Sequence, residues 1–134
     1  MSIVLNLADQ WKNTASLHVL GCIHDFEQQS ALASVQNIES WATKLKDLKG
    51  FYSLVKQEDN QVFAAVDHIR SRPLFYASNE QDFYLSDSAE WVRQQVSDTV
   101  MDEYAKAEFQ LTGYVTGRDT LYKNVKQLQA GECA

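Results

Sequence analysis

Apolar positions in this chain recur with two periods, and the densest block lies in its middle. Between Lys49 and Ala77 the sequence reads KGFYSLVKQEDNQVFAAVDHIRSRPLFYA. Two nearly all-apolar runs, residues 51–55 and 62–66, flank the polar stretch 57–60. That pattern predicts a hairpin of core strands covered on both faces. A charged turn over 67–72 leads to the only proline, Pro73, and to a third strand ending at Ala77. Upstream, SIVLNL at residues 2–7 predicts a strand, and 9–16 a polar connection with Trp11 laid on the core surface. Leu17–Ile23 alternates His18, Leu20 and Cys22 with Leu17, Val19 and Gly21, as a strand does. Over 28–48, Ala31, Val35, Ile38, Ala42 and Leu45 recur at three- and four-residue steps. This predicts one long helix, closed by Gly50 and favoured at its C-terminal end by Lys44, Lys46 and Lys49. Beyond the hairpin, 83–85 predicts a strand. A helix capped by Ser86, Asp87 or Ser88 then runs to about Val96, and another spans 102–111 up to Gly113. The remainder, 119–132, reads as irregular with one strand near 124–128. The order of strands, helix, strands and helices suits an α+β layered sandwich of mostly antiparallel sheets.

Composition narrows the picture. At 134 residues and 45% hydrophobic, the chain is expected to be one domain over residues 1–134 with a substantial core. A net charge of −6 argues against a nucleic-acid partner, because polyanion binding needs a cationic face that releases counterions. No apolar run is long enough to span a membrane. Cys22 and Cys133 lie far apart without a disulfide pattern, and no signal peptide is evident, so a reducing cytoplasm is expected.

The central block resembles the N-terminal glutaminase domain of the glutamine-hydrolysing asparagine synthetases, a class II amidotransferase domain of the Ntn-hydrolase type. Leu48–Lys49–Gly50–Phe51 stands for that family's "LDGMFAF", and Asp67, Arg72, Pro73, Leu74 and Tyr76 for its "RDRLGIKPLYYA". Ser86–Asp87 stands for "FASEIKAL". The run GYVTGRDTLYK at 113–123, continued to Ala130–Gly131–Glu132, resembles "GYVPGPRTLFKGIKKLPPGH". The likeness covers about the C-terminal two thirds. It implies a shortened Ntn-type αββα sandwich, with two sheets between helices.

The resemblance also implies where chemistry belongs. The family's nucleophile is a cysteine at position 2, freed by loss of Met1, with its own α-amine as base; here that residue is Ser2. Ser2 is either an N-terminal nucleophile of the kind related hydrolases use or simply the first residue of a strand. The family's "NGEIYN" strand supplies a side-chain amide and a backbone N–H to the oxyanion. Its counterpart is Leu20–Gly21–Cys22–Ile23–His24–Asp25, where Gly21 matches and Leu20 replaces the asparagine. Losing one such donor costs on the order of 3 kcal/mol of transition-state stabilisation. The family's substrate arginine and aspartate have no counterparts either. No arginine precedes Arg70, and Ser34–Val35–Gln36–Asn37 holds no aspartate. Arg70 also stands where the family has a glycine, so that turn is expected to differ.

Other groups admit two readings each. His18, Cys22 and His24 on one strand face are a zinc-type ligand set or ordinary side chains. Asp67–His68 is an acid–base pair or a structural turn. Phe51, Tyr52, Phe63, Phe75, Tyr76 and Tyr84 read as core and sheet surface. No metal and no cofactor is expected, and without a pyrophosphate loop such as SGGLDS the chain is expected to bind no ATP. The first functional reading is a degenerate glutaminase-like domain that scaffolds a following ATP-dependent synthetase domain, its expected partner, with a homodimer also compatible. The second is an active glutamine amidohydrolase using Ser2. The third is a stand-alone module whose partner docks on the sheet edge or on Trp11.

Overall fold

The computed structural model describes residues 1–14 and 16–134, which form eight strands and four helices. The chain divides into two compact units. One comprises Ala8–Pro73 with Ala130–Ala134, the other Met1–Leu7 with Leu74–Gln129.

The first of these is built on an antiparallel sheet. Its strands are β2 (Lys12–Thr14), β3 (Leu17–Ile23), β4 (Gly50–Glu58) and β5 (Gln61–Val66), in that order. β2 lies inside the stretch expected to be a polar connection. The predicted hairpin is present, but its strands run on to Glu58 and Gln61, leaving a two-residue loop at Asp59–Asn60. Asp59, at φ +45°, takes the left-handed conformation that such a tight loop needs. On the far side of β5, Ala64 and Ala134 exchange both backbone hydrogen bonds, at 2.8 and 2.9 Å.

The single helix expected over 28–48 is two helices, α1 (Phe26–Ala33) and α2 (Ile38–Leu45). Local polar groups compete with the helical ladder at the break. The Ser34 hydroxyl donates back to the Ala31 carbonyl at 3.0 Å, and the Asn37 side chain caps α2 by accepting from the Ser40 N–H at 2.9 Å. Between them, the Val35 carbonyl accepts from the ammonium of Lys56, a fully buried lysine on β4. The break also rotates the apolar face. Leu32, Val35, Trp41, Leu45 and Leu48 point inward, whereas Ile38 is exposed and Ala31 and Ala42 are half-buried. Trp41 packs on Phe63 with ring centroids 5.8 Å apart, at the centre of this core.

The other unit holds β1 (Ser2–Asn6), β6 (Phe75–Ser78), β7 (Asp82–Ser86) and β8 (Lys126–Gln127), in the order β1-β7-β6-β8. β1 runs parallel to β7, the one departure from antiparallel pairing among the described strands. α3 (Ala89–Gln95) follows a cap made by Ser88, whose hydroxyl accepts from the Trp91 N–H at 3.2 Å. α4 (Glu103–Thr112) is ended by Gly113, as the sequence predicts, and Asp102, expected inside the helix, is its N-cap. Tyr84, Val92, Val125 and Ala77 make this unit's core, with Trp91 edge-on to Tyr84.

β3 and β4 approach each other closely at two glycines. Gly21 (φ +97°) and Gly50 (φ +147°) lie at the end of this pair, and an added Cβ would sit 2.1 Å from the Phe51 carbonyl oxygen or 2.2 Å from that of Cys22. Both obstacles are backbone, so a side chain at Gly21 must push the strands apart. Gly21→Ala is expected to lower stability by at least about 2 kcal/mol, read as a shift in the urea midpoint by tryptophan fluorescence. A midpoint equal to wild type would contradict this account of the strand pair.

Candidate functional site

Gly21, which the sequence resemblance sets at the oxyanion position, is exposed near the end of β3. It faces Tyr52 on β4. Tyr52 directs both backbone groups elsewhere: its N–H donates to the Asp67 carboxylate at 2.9 Å, and its carbonyl accepts from the Asp67 N–H at 3.0 Å. The alternation of an antiparallel ladder therefore turns the Gly21 N–H away from β4. β2 stops opposite Val19 and pairs no further along β3. The Gly21 N–H is thus directed away from its own sheet partner. Its neighbour Leu20 is 7% exposed, a hydrocarbon side chain directed into packed surroundings, and has no hydrogen to donate.

Ser2, which the sequence resemblance sets at the nucleophile position, opens β1 in the other unit. Its side chain is exposed, and its backbone N–H donates to the Gln81 carbonyl at 3.0 Å. Within its own unit Ser2 lies opposite Asp82 in the parallel ladder, so its position is that of an ordinary first strand residue.

The turn after β5 is where the polar structure concentrates. Asp67 is 2% exposed, and its carboxylate accepts from the N–H groups of Tyr52, Ile69 (2.9 Å) and Ser71 (3.3 Å) and from the Ser71 hydroxyl. Its own carbonyl accepts from the N–H of Arg70 (3.0 Å) and of Gly131 (2.8 Å). Burial alone would raise this carboxyl's pKa. The Ser71 hydroxyl and the three N–H donors outweigh it and hold the pKa below the ordinary 3.8. Arg70, at φ +52°, adopts the left-handed backbone that glycine favours. This accommodates the arginine at a cost of about 1 kcal/mol. Hence Asp67–His68 is a structural turn, with its aspartate saturated by backbone donors. His68 is exposed and lines an open cleft of about 380 Å³ together with Lys46, Phe51 and Ile69.

Cys133, near Tyr52 in a smaller cleft of about 230 Å³, is half-buried. Burial first, and then the Glu132 charge, raise its pKa and disfavour the thiolate. Tyr52 is likewise pushed up, by burial and by the charges of Asp67 and Cys133. His18, Cys22 and His24 form no metal-type cluster, and no group of three or more His, Cys, Asp or Glu suited to a metal occurs among the described residues. His18 instead meets the Asn13 side chain at 2.6 Å across β2, and burial lowers its pKa. Of the aromatics, Tyr52, Phe63 and Tyr84 are core, Phe75 and Tyr76 are half-buried, and Phe51 is exposed. Trp11 is 6% exposed, so it offers no docking surface of the kind considered from sequence.

Among the buried polar residues that the apolar pattern does not announce are Ser53 and Lys56. Ser53 is fully buried and donates its hydroxyl to the Arg72 carbonyl, tying β4 to the turn. Lys56 is fully buried and also pairs with Glu58 at 2.8 Å. Ending the strand at Val55 hid Lys56. The available signal was a lone lysine interrupting an otherwise apolar stripe within reach of a helix break.

Residues 24–134 match the family model described as the glutamine amidotransferase domain. The chain therefore belongs to the glutamine amidotransferase domain family. No curated protein and no solved structure matches it.

Asp67→Asn replaces one acceptor oxygen by an NH2 facing N–H donors. It is expected to cost about 3 kcal/mol at pH 7. Because the folded pKa is depressed, the wild-type advantage exists above pH 3.8 and is lost as pH falls through the lower folded value. Urea unfolding of both proteins from pH 7 to 2 should show the gap closing only in the acid range. A gap independent of pH would rule out a charged Asp67 as its source.

Proposed function

We propose that this glutamine amidotransferase domain does not itself hydrolyse glutamine and serves as the scaffold of an ATP-dependent amide-forming domain, as in proteins of the asparagine synthetase kind. Such a partner domain adenylates a carboxylate, which ammonia or another amine then attacks. The observation that carries the reading is Leu20, a buried hydrocarbon beside the one remaining oxyanion donor, Gly21. Supporting it, Ser2 replaces the cysteine, no arginine precedes Arg70, and Ser34–Val35–Gln36–Asn37 holds no carboxylate. An Ntn-type αββα arrangement of the two sheets and a cytoplasmic setting belong to the same proposal. The two free cysteines, one of them exposed, accord with a reducing compartment.

The second reading, a serine hydrolase using Ser2, draws on family membership and on the exposure of Ser2 at the start of β1. Ammonia release from glutamine separates the two. Wild type, Ser2→Ala and Ser2→Cys are all expected to match the uncatalysed rate. Even a competent thiol would lack the second oxyanion donor, at a cost of about 3 kcal/mol, and the substrate anchors. Glutamine hydrolysis by wild type that disappears in Ser2→Ala would overturn the scaffold reading.

A further inference from the structure

The ladder between β6 and β8 stops one step short. Its register sets Phe75 against Gln127 and Tyr76 against Lys126, and no pair follows toward Ser78. The Leu128 N–H donates to the Leu74 carbonyl at 3.0 Å. By alternation the bonding pairs are therefore Leu74–Leu128 and Tyr76–Lys126, and the next would be Ser78–Asn124. That pair is not made, because the Asn124 N–H goes to the Asp98 carboxylate at 2.6 Å. Toward β7 the Asn79 N–H bonds the Asp82 carbonyl at 3.0 Å, so Ser78 falls between bonding pairs on that side. Its N–H and carbonyl thus point past the end of β8. A cleft of about 470 Å³ lies at this gap, inside one compact unit. Pockets of that size hold small molecules.

The groups around the gap are one-sided in charge. The register puts Tyr76, Ser78, Phe83 and Lys126 on one face of the sheet, with the Tyr76 and Phe83 rings stacked at 6.0 Å. Lys123 and Asn124, both exposed, line the cleft from the segment before β8. Neither side chain has a hydrogen bond or ion pair among the described residues. No carboxylate among the described residues lines the cleft. The two carboxylates bonded to its lining residues are occupied. Asp119 holds Lys126 at 2.8 Å, and Asp98, 3% exposed, accepts the N–H groups of Asn124 and Val100. One uncompensated positive charge is left, on Lys123. Around it stand the donors of Asn124 and Ser78, with an aromatic pair beside them. One charge matches a carboxylate better than a phosphate dianion, and convergent donors suit carboxylate oxygens. The stacked rings suit a planar apolar group.

We propose that this cleft binds a small aromatic carboxylate, its ring against Tyr76 and Phe83 and its carboxylate held by Lys123, Asn124 and the Ser78 N–H. None of these residues is one that the resemblance assigns to glutamine chemistry, so the proposal is independent of the scaffold reading. Benzoate is the probe, titrated into the full 15N-labelled chain and followed by amide chemical shifts. The Ser78, Lys123 and Asn124 amides should move saturably, with a Kd on the order of 1 mM. Benzamide, without the charge, and acetate, without the ring, should each bind at least about fivefold more weakly. Lys123→Gln should weaken benzoate by about fivefold or more, and Asp119→Asn, which releases Lys126, should tighten it about threefold. Lys46→Gln, an exposed lysine of the other unit, should change nothing. Shifts away from the cleft report that each variant is folded. Absence of saturable shifts at these amides, benzamide binding as well as benzoate, an unaffected Lys123→Gln, or an Asp119→Asn that fails to tighten would each overturn the proposal.

Discussion

One buried carboxylate holds the most connected part of this chain together. Asp67 takes N–H groups from β4 and from its own turn, while its carbonyl holds the C-terminal segment through Gly131. A carboxylate out of water is tolerated only when such donors surround it. The path of the chain through Ile69, Arg70 and Ser71 is what delivers them. This makes the left-handed Arg70 intelligible. A strain of about 1 kcal/mol is small beside the penalty of several kcal/mol for a buried charge without its partners. Ser53 extends the same logic by fixing the Arg72 carbonyl just before the proline.

The chain's layout was legible wherever side chains act locally. Apolar alternation located β3, nearly unbroken apolar runs located β4 and β5, and the end of α4 was readable from Gly113. What was not legible depended on partners distant in sequence. Ala31, Val35, Ile38, Ala42 and Leu45 keep a helical period across a break that is set by Ser34, Asn37 and a lysine on β4. Periodicity cannot register such a break, because the three- and four-residue spacing runs on in the sequence while the break rotates the apolar face and leaves Ile38 exposed. β2 was lost for the opposite reason: Lys12, Asn13 and Thr14 are exposed polar residues whose strand character comes from pairing with Val19, His18 and Leu17. Asp67 was legible as a turn residue, but its role as collector of donors was not. The candidate site fared similarly. Gly21 reads as a match from sequence, and only its pairing with Tyr52, whose backbone groups are occupied by Asp67, indicates where its N–H faces.

Burial separates two groups of positions in this chain by what their replacement would cost. Asp67, Ser53 and Lys56 are buried polar groups whose partners lie on other segments, so replacing any of them would orphan a donor or acceptor at about 1–3 kcal/mol or more. Of the positions that the scaffold reading matches to glutamine chemistry, Ser2 and Leu20 carry no such penalty: Ser2 is exposed and Leu20 is an ordinary buried hydrocarbon, whereas Gly21 is held by its close approach to β4. Removing a catalytic donor of that kind costs rate, not stability, and a leucine in its place adds apolar burial worth about 1.5–3 kcal/mol. On the proposed scaffold reading, a domain needed only for its shape would tolerate change at Ser2 and Leu20 and not at Asp67, Ser53 or Lys56.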